Sequence, residues 1–234
     1  YGCYNAINLF SFCETLMTLK AVLFDLDGTL VSSEDIHYQL WVDILNGYGV
    51  SFSEQEYKKH YAGMPSAANA VDMIDRYALN AGSEALLMAK VKATHAYLAH
   101  QAYPLMPHVC DTIAFFEARG LILAIVTGAD RVSAISNVQA HGLHQAFSTI
   151  VSGDDVVHNK PAPDCYLLAM DRLGLQAEEC VAIEGSEHGV MAAHQAGVMC
   201  LAIPNAMSMS HDFSRATVVL DSLQGAQDWV SQRL

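Results

Sequence analysis

Six short, largely apolar runs set the strongest limit on how this chain can fold. Each is bounded by turn residues or by a segment with helical periodicity, and they lie at 20–25, 121–126, 148–151, 180–184, 199–203 and 217–220. Strands that are apolar along their whole length are typical of a parallel sheet covered on both faces. The pattern predicts an α/β fold with a Rossmann-like, doubly wound parallel sheet, in which ligands gather at the carboxyl ends of the strands.

Glycine and proline mark the helices between these runs. Helical patterns end at a glycine in three segments, and proline or serine precedes two of them: 108–119, 162–173 and 187–196. Glycine just past the last turn and proline near the first are typical of helix boundaries. This alternation of strand and helix supports the parallel sheet.

The strand pattern disappears between residues 32 and 106, where helical segments follow one another. Ser33 is expected to cap the first helix, Ser53 to Glu56 reads as a capping box, and Ser83 opens a long helix. We therefore expect a small all-helical cap domain at 32–106, inserted after the first strand and lying over its carboxyl end. The catalytic core would comprise 17–31 and 107–234, and residues 1–16 would be an extension outside the fold.

Composition excludes some partners. The formal net charge of −13 gives no basic surface for nucleic acid or an anionic membrane. The six cysteines form no CxxC pair, and the first residues resemble neither a signal peptide nor a membrane span. We expect reduced thiols, a cytoplasmic location, a monomer or weak dimer, and no membrane or nucleic-acid partner.

Two carboxylates, Asp25 and Asp27, close the first apolar run. Residues two apart on an extended chain point to the same side, so both would lie at the mouth of the sheet. A turn at Asp27-Gly28 is the plain structural interpretation. Aspartates are poor strand formers that repel each other, which favours a functional role.

Other strand ends carry reactive groups as well. Thr127 and Gly128 follow the second core strand, Lys160 precedes a helix, and Glu184 ends another strand. A nucleophilic carboxylate with a second acid, a hydroxyl and a lysine suits phosphoryl transfer through an aspartyl-phosphate. The catalytic roles would be nucleophile for Asp25, acid and base for Asp27, and phosphoryl-binding groups for Thr127, Gly128 and Lys160.

These neighbouring acids also suggest a cation. Two negative charges about 4 Å apart repel by roughly 4 kcal/mol at an effective dielectric constant of about 20, and an approaching phosphate adds to this. Mg²⁺ bound by carboxylate oxygens would relieve the repulsion.

Four motifs in this order, "FDLDGTL", "VTG", "NKPAPD" and "IEGSEHG", with a helical insertion after the first, resemble those of the haloacid dehalogenase superfamily. The branch with sugar-phosphate phosphatases and β-phosphoglucomutase is the most similar. The resemblance implies a Mg²⁺-dependent phosphatase acting on a small phosphorylated metabolite, with Asp25 as nucleophile and Asp27 as acid/base. It also implies a metal held by the Asp25 carboxylate, the Asp27 backbone carbonyl and an acid of the fourth motif, here Glu184.

The fourth motif departs from this family pattern, because Gly185 stands where a second acid is usual. Three explanations stay open: a metal site completed by Glu184 and water, an altered or engineered position, or a decayed enzyme that only binds its ligand. Glu187 could reach back to replace the acid, or could simply stabilise a helix N-terminus.

The cap contributes one candidate substrate-binding residue, His37, which matches a cap histidine of the sugar-phosphate branch. A packing role for this histidine is the alternative. Ser66 stands where the mutase pattern carries a phosphate-binding arginine, which favours a hydrolase over a mutase. Asp27 disfavours a dehalogenase, whose members generally lack this acid.

Overall fold

The computed structural model describes residues 19–234, so the predicted extension at 1–16 lies outside the described residues. Its centre is a sheet of six parallel strands in the order β3-β2-β1-β4-β5-β6. The strands are β1 Ala21–Phe24, β2 Ile122–Val126, β3 Thr149–Val151, β4 Cys180–Glu184, β5 Met199–Ala202 and β6 Val218–Val219. The predicted α/β doubly wound fold is confirmed, with each strand inside the apolar run that predicted it.

The central position of β1 determines where the functional residues meet. Phe24 pairs with Ile125 on β2 and with Ile183 on β4. The residues that follow, beginning with Asp25 on one strand and Glu184 on its neighbour, therefore leave the sheet at the same edge.

Helices cover both faces of the sheet, as the fully apolar strands require. The core helices are α5 Val109–Glu117, α6 Arg131–Ala140, α7 Asp164–Leu173, α8 Glu187–Gln195 and α9 Leu223–Ser231. On β1, Val22 and Phe24 belong to one apolar cluster with Phe116, while Ala21 and Leu23 belong to a second with Tyr166. Alternate side chains of one strand thus enter two separate cores.

Four helices lie between β1 and α5: α1 Glu34–Asn46, α2 Glu54–His60, α3 Ser66–Tyr77 and α4 Ser83–Leu98. They share an apolar cluster of their own that includes Trp41, Leu45 and Met73. Met207, from the segment after β5, also packs into this cluster. The division at residues 32 and 106 stays a prediction.

Two predicted caps differ from the structure. Ser33 occupies the N-cap position of α1, but its backbone is already helical (φ −100°, ψ −20°) and its side chain accepts no capping hydrogen bond. Capping serines usually have extended backbone, which aims the oxygen at the free amides. At α2, Ser53 accepts from Glu56 N as predicted, whereas the Glu56 carboxylate accepts from the Tyr77 hydroxyl, so only half of the box forms.

The four described cysteines, Cys110, Cys165, Cys180 and Cys200, are free thiols. Over residues 19–234, none of the helices combines the length and the apolar character needed to span a bilayer.

Candidate active site

A cavity of about 250 Å³ opens at the carboxyl edge of the sheet, between the core and helices α1, α3 and α4. The structure brings together there six of the residues selected from the sequence: Asp25, Asp27, His37, Thr127, Gly128 and Lys160. Glu184 does not line the cavity; it is fully buried and contacts Lys160. The catalytic, binding and metal roles of these residues stay predictions.

Lys160 is the electrostatic centre of the floor of this cavity. Its Nζ donates to Asp25 Oδ1 at 2.9 Å, to the Val126 carbonyl oxygen at 2.8 Å and to Glu184 Oε1 at 2.6 Å. Burial by itself disfavours the ammonium, but the charges of Asp25 and Glu184 outweigh burial and raise the pKa of Lys160. One ammonium therefore joins two carboxylates from neighbouring strands.

Asp25 is less favourably placed as an anion. Burial, followed by the charge of Glu184, raises its pKa to about 7, although Lys160 opposes this shift. The Thr29 hydroxyl lies 3.3 Å from Asp25 Oδ2 and donates to it. Asp25 is thus a buried carboxylate whose ionisation depends on the positive charge around it.

Glu184 is fixed from two sides. The Tyr166 hydroxyl donates to its Oε1 at 2.6 Å, while its Oε2 is buried with no hydrogen-bond partner. The carboxylate fits beside α8 because residue 189 is glycine: a Cβ there would lie 1.9 Å from Glu184 Oε2. Gly189 was not among the residues selected from the sequence, although a glycine inside the short helical pattern after "IEGS" was the available signal.

Asp27 belongs to a second chain of contacts, which runs into the cap. His37 Nε2 lies 3.4 Å from Asp27 Oδ1, and Lys90 Nζ lies 2.9 Å from His37 Nδ1 and 3.0 Å from Thr94 Oγ1. An ammonium can only donate, so His37 Nδ1 accepts and Nε2 carries the proton offered to Asp27. Although burial opposes it, this contact with His37 holds the pKa of Asp27 below its usual value.

Lys90 is a second cavity residue that the sequence patterns did not single out. It is buried, it lines the cavity, and burial lowers its pKa to about 8 despite the nearby charges of Asp27, Glu34 and Asp130. Its position four residues after Leu86, on the buried side of α4, was the available signal. A lysine on the apolar face of a helix needs a reason to be there.

The loop after β2 is held from the core side. Thr127 Oγ1 accepts from Ala129 N at 3.1 Å, and the Gly128 carbonyl oxygen accepts from Asn159 Nδ2 at 2.9 Å. The Thr127 hydroxyl can still donate its own proton into the cavity. This geometry suits the predicted contact with phosphoryl oxygens.

Gly185 lets two loops pack directly against each other. A Cβ at position 185 would lie 2.7 Å from the Gly28 carbonyl oxygen and 3.0 Å from Thr29 Oγ1. The same carbonyl accepts from Asn205 Nδ2 at 3.0 Å. Glu187 Oε2 accepts from Asp212 N at 3.1 Å, so this carboxylate is turned toward a different loop.

A metal would have to use few protein ligands here. Within residues 19–234, no group of three or more His, Cys, Asp or Glu side chains is placed to hold an ion. Asp25 and Glu184 supply two carboxylates that share Lys160, and Oε2 of Glu184 is buried without a partner. Mg²⁺ is commonly held by one or two carboxylates together with water and a substrate phosphate, so the residues present fit this ion.

The fold is a parallel sheet with a helical insertion after its first strand. Acids and a threonine follow the strands of this sheet, and a lysine lies beside them. Together these features define a hydrolase of the α/β class with a helical cap. Residues 22–203 match the family described as haloacid dehalogenase-like hydrolase. The chain belongs to this family.

Two relatives match most of the chain in sequence. Protein CbbY of Rhodobacter capsulatus is 31% identical over 220 residues, which cover 90% of this chain and 96% of that protein. Fructose-1-phosphate phosphatase YqaB of Escherichia coli (strain K12) is 30% identical over 177 residues, 76% of this chain and 92% of the relative.

Solved structures agree with the sequence relatives. CbbY from Rhodobacter sphaeroides, in complex with xylulose-(1,5)bisphosphate, superposes with a TM-score of 0.79 at 27% identity, over 88% of this chain and 95% of the other. The β-phosphoglucomutase of Clostridium difficile gives a TM-score of 0.80 at 16% identity, over 92% of this chain and 96% of the other, and at that identity shows the fold alone.

Proposed function

We propose that this protein is a Mg²⁺-dependent phosphomonoesterase that cleaves a small phosphorylated metabolite, in particular a sugar phosphate, through an aspartyl-phosphate. The observation that carries the proposal is the Asp25 carboxylate at the floor of the cavity, in contact with Lys160 and two residues from a second acid. The names of CbbY's bound ligand and of YqaB support a sugar phosphate. The cytoplasmic location and the monomeric or weakly dimeric state stay predictions.

In this mechanism Asp25 attacks phosphorus and forms an acyl phosphate, while the substrate oxygen leaves as an alcohol. Asp27 gives that oxygen its proton and then takes a proton from the water that cleaves the acyl phosphate. In the unliganded site the pKa of Asp27 is lowered by His37. A phosphate dianion beside Asp27 would raise this pKa, which favours the protonated acid when it is needed.

The surrounding groups stabilise the negative charge that develops on the phosphoryl oxygens. Lys160 and the Thr127 hydroxyl line the cavity next to Asp25 and would donate to these oxygens. Asp25, the backbone carbonyl of Asp27 and Glu184 would hold Mg²⁺. When bound, the ion supplies positive charge that offsets repulsion between Asp25 and the phosphate.

Hydrolysis of a generic aryl phosphate tests the proposal. With Mg²⁺ present, we expect phosphate release by the parent and a loss of at least roughly 10³-fold in Asp25→Asn, since the amide cannot act as the nucleophile. Asp228→Asn, an exposed change on α9, is the matched control and should keep full activity. Absence of turnover by the parent at every Mg²⁺ concentration would contradict the proposal.

One observation favours a second candidate, a catalytically silent protein that binds phosphorylated metabolites. Gly185 removes an acid, and Lys160 already balances part of the charge of the two that remain. A silent binder would gain thermal stability with sugar phosphates while releasing no phosphate. An enzyme would release phosphate under the same conditions.

A further inference from the structure

We propose that Tyr166 is a positioning residue for phosphoryl binding, because its hydroxyl keeps Glu184 hydrogen-bonded when Lys160 turns from this carboxylate to a bound phosphoryl group. The inference rests on the proposed function and adds a residue to the same site. Tyr166 lies on α7, is fully buried and does not line the cavity. It reaches the site through its contacts with Glu184 and Lys160.

The ammonium of Lys160 already uses its full capacity as a donor. An ammonium has three N–H groups, and those of Lys160 are donated to Asp25 Oδ1, the Val126 carbonyl oxygen and Glu184 Oε1. A phosphoryl oxygen in the cavity can therefore accept from Lys160 only when one of these bonds breaks. Breaking a bond to a buried acceptor is costly unless another donor satisfies that acceptor.

Glu184 is an acceptor that keeps a donor after Lys160 leaves it. The Tyr166 hydroxyl donates to the same Oε1, at 2.6 Å, which is also the distance from Lys160 Nζ. Among residues 19–234, Glu184 Oε2 has no hydrogen-bond partner, so Oε1 carries the hydrogen bonds of this carboxylate. A tyrosine hydroxyl keeps its proton at neutral pH and remains a donor. Without it, the buried Glu184 would depend on Lys160.

Packing holds the three groups together. The ring of Tyr166 belongs to an apolar cluster on one face of the sheet, and Lys160 Nζ lies 5.3 Å from the centre of this ring. The Glu184 carboxylate is fully buried and lies against Gly189 of α8. Lys160 can thus exchange one acceptor for another by turning its ammonium, while Tyr166 and Glu184 stay in place.

The variant Tyr166→Phe tests this role in the full chain, because it removes the hydroxyl and keeps the ring. We expect the affinity for inorganic phosphate, measured by isothermal titration calorimetry with Mg²⁺ present, to fall roughly tenfold. The value of kcat/KM should fall by a similar factor for aryl phosphates with good and with poor leaving groups, since Lys160 contacts the phosphoryl oxygens. A purely structural role would lower the free energy of unfolding and leave the affinity for phosphate unchanged.

The matched control is Tyr77→Phe. The Tyr77 hydroxyl also donates to a carboxylate, Glu56 Oε1 at 2.7 Å, but it lies on α3 and neither residue lines the cavity. This variant loses the same kind of hydrogen bond and should keep the phosphate affinity and the kcat/KM of the parent.

A double variant isolates the path through Glu184. Glu184→Gln removes the negative charge that holds Lys160, so the hydroxyl of Tyr166 has no carboxylate left to satisfy. Adding Tyr166→Phe to Glu184→Gln should therefore change phosphate affinity less than about twofold. A further tenfold loss in the double variant would show that Tyr166 does not act through Glu184, and would overturn the inference.

The outcomes for the inference and for the proposed function differ. Unchanged phosphate affinity in Tyr166→Phe, or equal losses in Tyr166→Phe and Tyr77→Phe, would overturn the inference, while phosphate release by the parent would still support the function. A parent that binds inorganic phosphate more tightly than Tyr166→Phe, yet releases none from any compound, would defeat the function and leave the positioning role intact. A parent that neither binds nor releases phosphate would contradict both.

Discussion

Two buried lysines line the same cavity, and their pKa values shift in opposite directions. Lys160, on the floor, lies between two carboxylates, and its pKa is raised. Lys90, on the wall formed by the cap helices, contacts His37 and Thr94, neither of which is a carboxylate, and its pKa falls to about 8. Burial disfavours the charged form of both lysines, so the groups that contact each ammonium decide the direction of its pKa shift.

The charge of Lys160 is held by two carboxylates as part of the structure, whereas the charge of Lys90 is not. Lys160 links β1, β2 and β4 through three hydrogen bonds, so its charge is part of what holds the strand ends together. Lys90 contributes charge to the cavity without a carboxylate in direct contact. Replacing Lys160 should therefore lower the free energy of unfolding, whereas replacing Lys90 should change how the free energy of unfolding depends on pH.

The largest effect is expected from Lys160→Met. This change leaves the carboxylates of Asp25 and Glu184 buried together without their cation. Breaking a buried ion pair in this way typically costs about 3–5 kcal/mol, so the free energy of unfolding should fall by that amount. Urea denaturation at neutral pH measures it.

Lys58→Met is the matched control for this loss. Lys58 pairs with Glu54 on the surface of α2, in a pair where the Glu54 side chain is 53% exposed. Exposed pairs of this kind contribute about 0–1 kcal/mol. Equal losses in the two variants would show that the triad of Asp25, Lys160 and Glu184 does not stabilise the fold.

A smaller, pH-dependent effect is expected at Lys90. Its folded pKa of about 8 lies below the ordinary value of 10.5, so between these values the unfolded chain binds more protons than the folded one. Stability contributed through this group therefore rises as pH increases across that window, by up to about 3 kcal/mol. Free energies of unfolding at pH 7.5 and 10, compared between the parent and Lys90→Met, give this contribution.

The comparison isolates Lys90 because other groups titrate in both proteins. Lys92→Met, two residues along the same helix on its exposed side, should keep the pH dependence of the parent. If the parent and Lys90→Met change in parallel from pH 7.5 to 10, Lys90 is not held at a lowered pKa.

The sequence was sufficient for the fold and for the positions that follow strands. Continuous apolar runs determine a parallel sheet, and a parallel sheet brings the ends of β1, β2 and β4 to one edge. Asp25, Asp27, Thr127 and Glu184 could therefore be grouped from the order of the residues alone, and Lys160 was added as a lysine just before a helix.

The cap could be predicted only in part, because its side chains approach the site through tertiary packing. Lys90 and Lys92 look alike in "MAKVKATH", and only the packing of α4 turns one of them toward His37. The Ser33 cap was wrong because the backbone at that residue is helical, which depends on how the chain leaves β1. The Glu56 carboxylate accepts from the Tyr77 hydroxyl and does not complete the capping box. This contact joins two different helices.

The smallest change in the free energy of unfolding is expected for a variant of Gly185, which follows Glu184 in the chain. Gly185→Ala places a Cβ 2.7 Å from the Gly28 carbonyl oxygen, which is backbone and itself bonded to Asn205. Overpacking of this kind costs about 1–3 kcal/mol, measured by urea denaturation. Gly225→Ala on α9 is the control, because a Cβ there meets side-chain atoms no closer than 3.7 Å and should be neutral or slightly stabilising.

Gly185→Asp adds a negative charge to the steric cost of a side chain at this position. Mg²⁺ separates these two contributions to stability. Without the ion, a third carboxylate beside Asp25 and Glu184 should make this variant less stable than Gly185→Ala, since Lys160 is already shared. Mg²⁺ should then raise the melting temperature of Gly185→Asp more than that of the parent or of Gly185→Ala. Equal shifts in all three proteins would mean that position 185 does not reach the ion. The charges of Asp25 and Glu184 would then be balanced by Lys160 whether or not Mg²⁺ is bound.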